Sequence, residues 1–272
     1  MLIRFGCEIK IECVAPTPVI ALLEARGGDV SQVRRQSFDV QPGVPHTIYT
    51  DAFGNSCRRF IAPAGESSVR VDGLVVDDGL PDPVEPDAPE VPVERLPDAY
   101  LVYLLGSRYC ETDLLSQAAW NLFGHLPRGW SRVQAINTFV NKHLTFDYQR
   151  ASATRTAYGA FQERVGVCRD FAHLAIALCR CLNIPARYVN SYLGDIGVPF
   201  DPAPMDFSAS MEVFIGGQWH GFDPRNDKRR IGRIVVARGR DATDVPLLHS
   251  FGAHTLKSFR VWADEVANDA AA

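Results

Sequence analysis

Gly166-Val167-Cys168-Arg169-Asp170-Phe171-Ala172-His173-Leu174 is the stretch on which the reading of this chain turns. Phe171, Ala172, Leu174, Ala175, Ile176 and Leu178 put apolar side chains on nearly every helical face. The spacing predicts a central, buried helix running to about Leu182, where Asn183-Ile184-Pro185 stops it. Cys168 falls in its first turn. Unpaired N–H groups and the positive end of the helix dipole stabilise a thiolate there, and the thiolate is the nucleophilic form. The competing reading is a small buried hydrophobe, the common fate of a free cysteine. Gln162, six residues upstream, carries a side-chain amide able to donate to an oxyanion. Its alternative is a solvated helix residue.

Downstream, residues 206–215 (Asp-Phe-Ser-Ala-Ser-Met-Glu-Val-Phe-Ile) read as a strand. Gly216-Gly217 is a two-residue hairpin turn, and residues 218–223 return. The register pairs Ile215 with Gln218, Val213 with His220 and Met211 with Phe222. Paired residues share a face. Ser208, Ser210, Glu212, Trp219 and Asp223 then fall on one side, and Phe207, Met211, Val213, His220 and Phe222 on the other. This places His220 in the core rather than in a site, unless the register slips.

Working outward, Thr112 caps a helix bearing Leu115, Ala119 and Phe123, and Ser131 caps a second bearing Val133, Ile136 and Val140. Thr154 or Thr156 opens a short third helix through Gln162, and Arg187 to Leu193 forms a strand. Residues 1–76 alternate as short strands and predict a small β-sandwich. Residues 77–98 carry six prolines among acidic residues and predict an extended linker. The division expected is 1–76 β-domain, 77–98 linker, and 99–272 helix-plus-sheet domain.

The chain has 272 residues, 46% hydrophobic and 22% charged, which is ordinary globular usage. Lys+Arg number 28 against Asp+Glu 32, net −4. No basic excess exists to hold a phosphate backbone, so nucleic acid is not an expected partner. No apolar run is long enough to span a membrane, and the alternation of Met1 to Lys10 is not the charged-then-apolar layout of an export signal, so none is expected. The seven cysteines are then read as reduced thiols in a cytoplasmic protein. No ligand spacing calls for a metal, and no motif calls for a cofactor.

These pieces together resemble the transglutaminase-like superfamily, whose core is papain-like. The matching stretches are Gly166 to Leu174, Ile184-Pro185-Ala186-Arg187-Tyr188-Val189, and Asp206 to Asp223 ending in Phe222-Asp223-Pro224. The strand-rich start and the tail, with Arg233-Ile234-Val235-Val236-Ala237-Arg238-Gly239-Arg240-Asp241, are similar to the bacterial members. The resemblance implies an α+β fold, with helices packed on an antiparallel sheet and a small β-sandwich domain before them. It also implies a Cys-His-Asp triad acting on a peptide or amide substrate through a thioester, by transfer to an amine or to water.

Position by position, Cys168 matches the nucleophile and Asp223 the orienting acid. Ser208 stands where the family has its histidine, and Ser210 where it has tryptophan. A serine hydroxyl is no base near neutral pH, and its loss of charge costs on the order of several powers of ten in rate. Two functions therefore stay open. One is cysteine-dependent acyl transfer or hydrolysis, with Gln162 as oxyanion donor. The other is a catalytically impaired relative that binds a peptide or protein partner. Either way, Ser208 and Asp223 are expected to face Cys168 from adjacent strands.

Overall fold

The computed structural model describes residues 1–26 and 31–267. The N-terminal part holds β1 (Leu2–Cys13), β2 (Thr17–Ala21), β3 (Ser31–Gln41), β4 (His46–Thr50), β5 (Ser56–Ala62) and β6 (Gly65–Asp77). Ile3, Phe5, Cys7, Ile9, Ile11 and Cys13 are all buried on one side of β1, the period of two that makes a strand half core.

The helical part carries α1 (Thr112–Phe123), α2 (Trp130–His143), β7 (Thr145–Phe146), α3 (Ala157–Glu163), β8 (Val165–Gly166) and α4 (Cys168–Cys181). A second sheet region follows: β9 (Ala186–Tyr192), β10 (Ser208–Ile215), β11 (Gln218–Phe222) and β12 (Ile234–Gly239). The chain closes with β13 (Leu248–Ser250) and β14 (His254–Val266). Strands order as β11-β10-β9-β12 in one antiparallel sheet, β14-β1-β6-β3 in another and β13-β2-β5-β4 in a third. This is the α+β architecture expected, with helices on an antiparallel sheet beside a two-sheet β-domain.

The expected domain limits need one correction. β13 pairs with β2, and β14 pairs with β1 over its whole length. Residues 248–266 therefore complete the N-terminal sheets rather than the helix-plus-sheet domain. β14 is an edge strand with most of its residues exposed, so it lacks the apolar alternation that marks a strand in sequence. The two parts also share core: Phe5 packs on Tyr192 at 5.1 Å, and the Tyr192 hydroxyl donates to the Leu23 carbonyl at 2.7 Å.

Residues 78–92 contain no helix or strand; short 3₁₀ turns follow at Val93–Arg95 and Asp98–Leu104. The segment is strapped to the helical part. Trp130 and Gly216 donate backbone N–H groups to the Ala88 and Pro89 carbonyls, and Arg132 pairs with Glu90 at 3.1 Å. That strap also corrects the start of α2. Gly129, not Ser131, stands at the cap, and the helix begins at Trp130. A Cβ on Gly129 would lie 2.3 Å from the Ala88 carbonyl oxygen, and its φ is +98°, so only glycine fits.

α4 is buried along nearly its whole length, as a helix apolar on every face must be. It packs on α1, α2, α3 and the β9–β10 sheet. The hairpin register is the one read from the sequence, with Val213 opposite His220 and Met211 opposite Phe222. Gly216 and Gly217 have φ of 61° and 86°, as a two-residue hairpin turn demands.

Candidate functional site around Cys168

Cys168 is the first residue of α4 and is half-buried. The start of the helix is fixed by Asp170, whose carboxylate accepts the Val167 N–H at 2.9 Å. That carboxylate is buried and paired with Arg155 at 3.3 Å. Thr156 caps α3 by accepting the Gly159 N–H at 3.2 Å. The β7–β8 pairing then carries the chain into Cys168.

The thiol lies against the start of β10, its Sγ 3.9 Å from the Phe207 carbonyl oxygen. Two cavities meet at Cys168. One, of about 380 Å³, is bordered by Tyr148, Asp206, Ser208, Arg225 and Arg230 and reaches β14 at Ala263. The other, of about 470 Å³, is bordered by Ser152, Arg169, Tyr188, Asn190 and Ala209.

Burial pushes the Cys168 thiol above its ordinary value, and the Asp206 carboxylate adds to this. The Ala209 amide, Arg225 and the Arg169 amide oppose the shift without reversing it. The helix-start position thus does not by itself yield a thiolate here. Asp206 is likewise raised by burial, against the Phe207 N–H and Arg225.

Of the predicted site residues, Ser208 and Asp223 border neighbouring cavities, and Asn226, which bonds to Asp223, borders the Cys168 cavity. Ser208 lines the first cavity with Cys168. Asp223 lines a different one, of about 110 Å³, with Gln134, Asn137 and Asp227. Its carboxylate accepts the Asn226 N–H and side-chain amide at 3.0 Å each, and pairs with Arg233 at 3.0 Å. Gln162 is exposed on α3 and borders neither cavity at Cys168.

None of the seven histidines borders those two cavities. His173 is fully buried, stacked on Tyr109 at 4.9 Å, and accepts the Ala242 N–H at 3.1 Å. Burial pushes its pKa down to about 3. His220 packs edge-on to Trp130 at 5.3 Å, on the core face that the register assigned it. His249 and His254 lie on β13 and β14, in the N-terminal sheets.

The opposite face of the same sheet is held by ions. Glu212 accepts from Arg187 at 2.6 Å and from Arg238 at two contacts of 2.8 Å. Burial raises its pKa, but the two guanidinium groups outweigh that and hold the carboxyl below its usual range. Sequence reasoning missed Asp206, Arg225, Tyr148 and Asn190. Asp206 and Arg225 lie in loops, Tyr148 in a 3₁₀ turn over Tyr148–Arg150, and Asn190 in β9. Among the described residues no group of three His, Cys, Asp or Glu side chains is arranged to hold a metal.

This arrangement sets Cys168 at a helix start where two cavities meet. Residues 122–224 match the family model described as the transglutaminase-like superfamily. The likeness to that superfamily is to these residues, fewer than half of the chain. The chain is 29% identical to a protein from Cytophaga hutchinsonii provisionally described as a cysteine protease, whose crystal structure superposes with a TM-score of 0.87 over 99% of this chain and 92% of that one. It is also 34% identical over 128 residues to an uncharacterized protein of Mycobacterium tuberculosis, covering 43% of this chain and 41% of that protein. A Mycobacterium leprae protein, also uncharacterized, is 37% identical over 127 residues, covering 44% and 43%. The match thus spans well under half the length of these curated relatives.

Proposed function

We propose that the chain uses its transglutaminase-like cleft to bind a peptide or protein segment at Cys168, without the thiolate–imidazolium chemistry of the family. One observation carries this reading: no histidine borders either cavity at the sulfur. The raised thiol supports it, because a protonated sulfur is a weak nucleophile. The engagement of Asp223 by Arg233 supports it too, since that carboxylate already has a cationic partner. Seven free cysteines support a cytoplasmic setting for this binding role. No helix among the described residues is long and apolar enough to cross a membrane.

A second reading keeps catalysis: cysteine-dependent acyl transfer or hydrolysis at peptide or amide bonds, through a thioester. It is favoured by Cys168 itself, half-buried at a helix start where two cavities meet. Two measurements separate the readings. A panel of peptide p-nitroanilides is expected to show no release beyond that of Cys168→Ala; Cys168-dependent release would reverse the order. Binding to an immobilised heptapeptide array is expected to weaken once Cys168 is carbamidomethylated. Array binding indifferent to that modification would remove the cleft from the account.

A further inference from the structure

Asn190 sits on β9 directly opposite Ala209 of β10. Ala209 is the residue whose backbone amide opposes the rise of the Cys168 thiol. Asn190 is only 6% exposed, yet its side chain makes no hydrogen bond among the described residues, and its Nδ2 is buried without a partner. The same side chain borders the 470 Å³ cavity that Cys168 also borders. A buried carboxamide left unpaired is costly, and a native site that keeps one needs a reason.

The rest of that cavity says what would satisfy it. Ala209, Val245 and Leu247 supply apolar wall. One cation, Arg169, and one carboxylate, Asp206, leave no net charge to favour an ion. Arg169 has its own Nε buried without a partner and spends an Nη on the Ser152 carbonyl. A carboxamide offers one donor end and one acceptor end, and a neutral amide is the group that matches both.

We infer that Asn190 is the residue that holds the amide group of whatever segment lies at Cys168, by hydrogen bonds from its side-chain carboxamide. Asn190 is a positioning residue: it fixes the bound amide relative to the sulfur. This rests on the reading of the cleft as a peptide-binding site, and it holds whether or not the thiol turns over.

The test uses two thiol reagents of different chemistry on the intact protein. Iodoacetamide carries an amide; iodoethane does not. In each, the sulfur displaces iodide from carbon and its proton goes to solvent. The other six cysteines are buried, and Cys168→Ala supplies the background. In Asn190→Leu, which keeps the bulk and removes both hydrogen-bonding ends, the iodoacetamide rate should fall about tenfold, the worth of one well-placed hydrogen bond. The iodoethane rate should change less than about twofold.

Equal changes with both reagents, or no change with either, would overturn the assignment. The crystal structure of wild-type protein carbamidomethylated at Cys168 gives an answer that does not depend on the variant folding. The added carboxamide should lie within hydrogen-bond distance of the Asn190 side chain. An adduct turned into the cavity lined by Ser208 would contradict the inference. Failure of the binding-cleft reading would show differently, as array binding indifferent to Cys168 modification or as Cys168-dependent peptide turnover.

Discussion

Asp223 and Arg233 form a buried ion pair, Oδ2 to Nη2 at 3.0 Å, with side chains only 2% and 11% exposed. Burial works against the guanidinium charge, but Asp223 and Asp82 together push its pKa up. Asp223, the expected orienting acid, is thus set against an arginine. The pair also joins the loop between β11 and β12 to the proline strap, since Arg233 lies 3.6 Å from Asp82.

Removing one member should expose that dependence. Arg233→Met leaves Asp223 buried with only Asn226 to satisfy it, and should cost about 3–5 kcal/mol of stability. Urea denaturation of wild type and variant reads this directly. A cost below about 1 kcal/mol would mean that water or another cation takes over the carboxylate.

His173 predicts a pH dependence of folding. Its pKa is about 3 in the folded chain against an ordinary 6.5. Between those values the unfolded chain binds a proton that the folded chain does not, so stability falls as pH falls. The loss between neutral pH and about pH 5 should be about 2 kcal/mol from this residue. His173→Gln, which keeps an acceptor for the Ala242 amide, should flatten that part of the curve. An unchanged slope in the variant would show the imidazole protonating in place.

Glu212 acts lower on the pH scale. Its folded pKa lies below the ordinary 4.5 because of Arg238 and Arg187, despite burial. Its contribution is fully present above 4.5 and is lost as pH falls through the depressed folded value. Thermal melts of Glu212→Gln should be lower than wild type at neutral pH and converge with it in acid. Parallel curves throughout would show that the ion cluster adds nothing.

The short α3 offers a local check. Thr156→Ala removes the acceptor for the Gly159 N–H and should cost about 1 kcal/mol. Alkylation of Cys168 should stay unchanged if the Asp170 contacts, not α3, fix the start of α4.

Much of the fold was legible because it is local. The apolar wheel of α4, the Gly216-Gly217 turn and the hairpin register each follow from spacing within a few residues. β14 was not legible, because an edge strand shows little burial and its partner β1 lies at the other end of the chain. Among the residues lining the cavities at the sulfur, Cys168 and Ser208 leave a mark on the sequence, as a helix start and a strand position. Asp206, Arg225 and Asn190 do not, since neither loop geometry nor a missing hydrogen-bond partner shows in residue spacing. The pairing of Asp223 with Arg233 was hidden for a different reason. Ten residues separate them, and nothing in that spacing says that the loop folds back.

In the proposed reading, Cys168 lacks an imidazole partner because Ser208 stands in its place. The pH profile of Cys168 alkylation by iodoacetamide, from about pH 6 to about pH 10, tests it most directly in wild type and in Ser208→His. Wild type should titrate above the ordinary thiol value of 9.0, as burial and Asp206 require. Ser208→His should titrate lower, because an imidazolium stabilises the thiolate. A wild-type protein that already titrates well below 9.0, with no change on introducing the histidine, would show that another group activates the sulfur and overturn the proposed function.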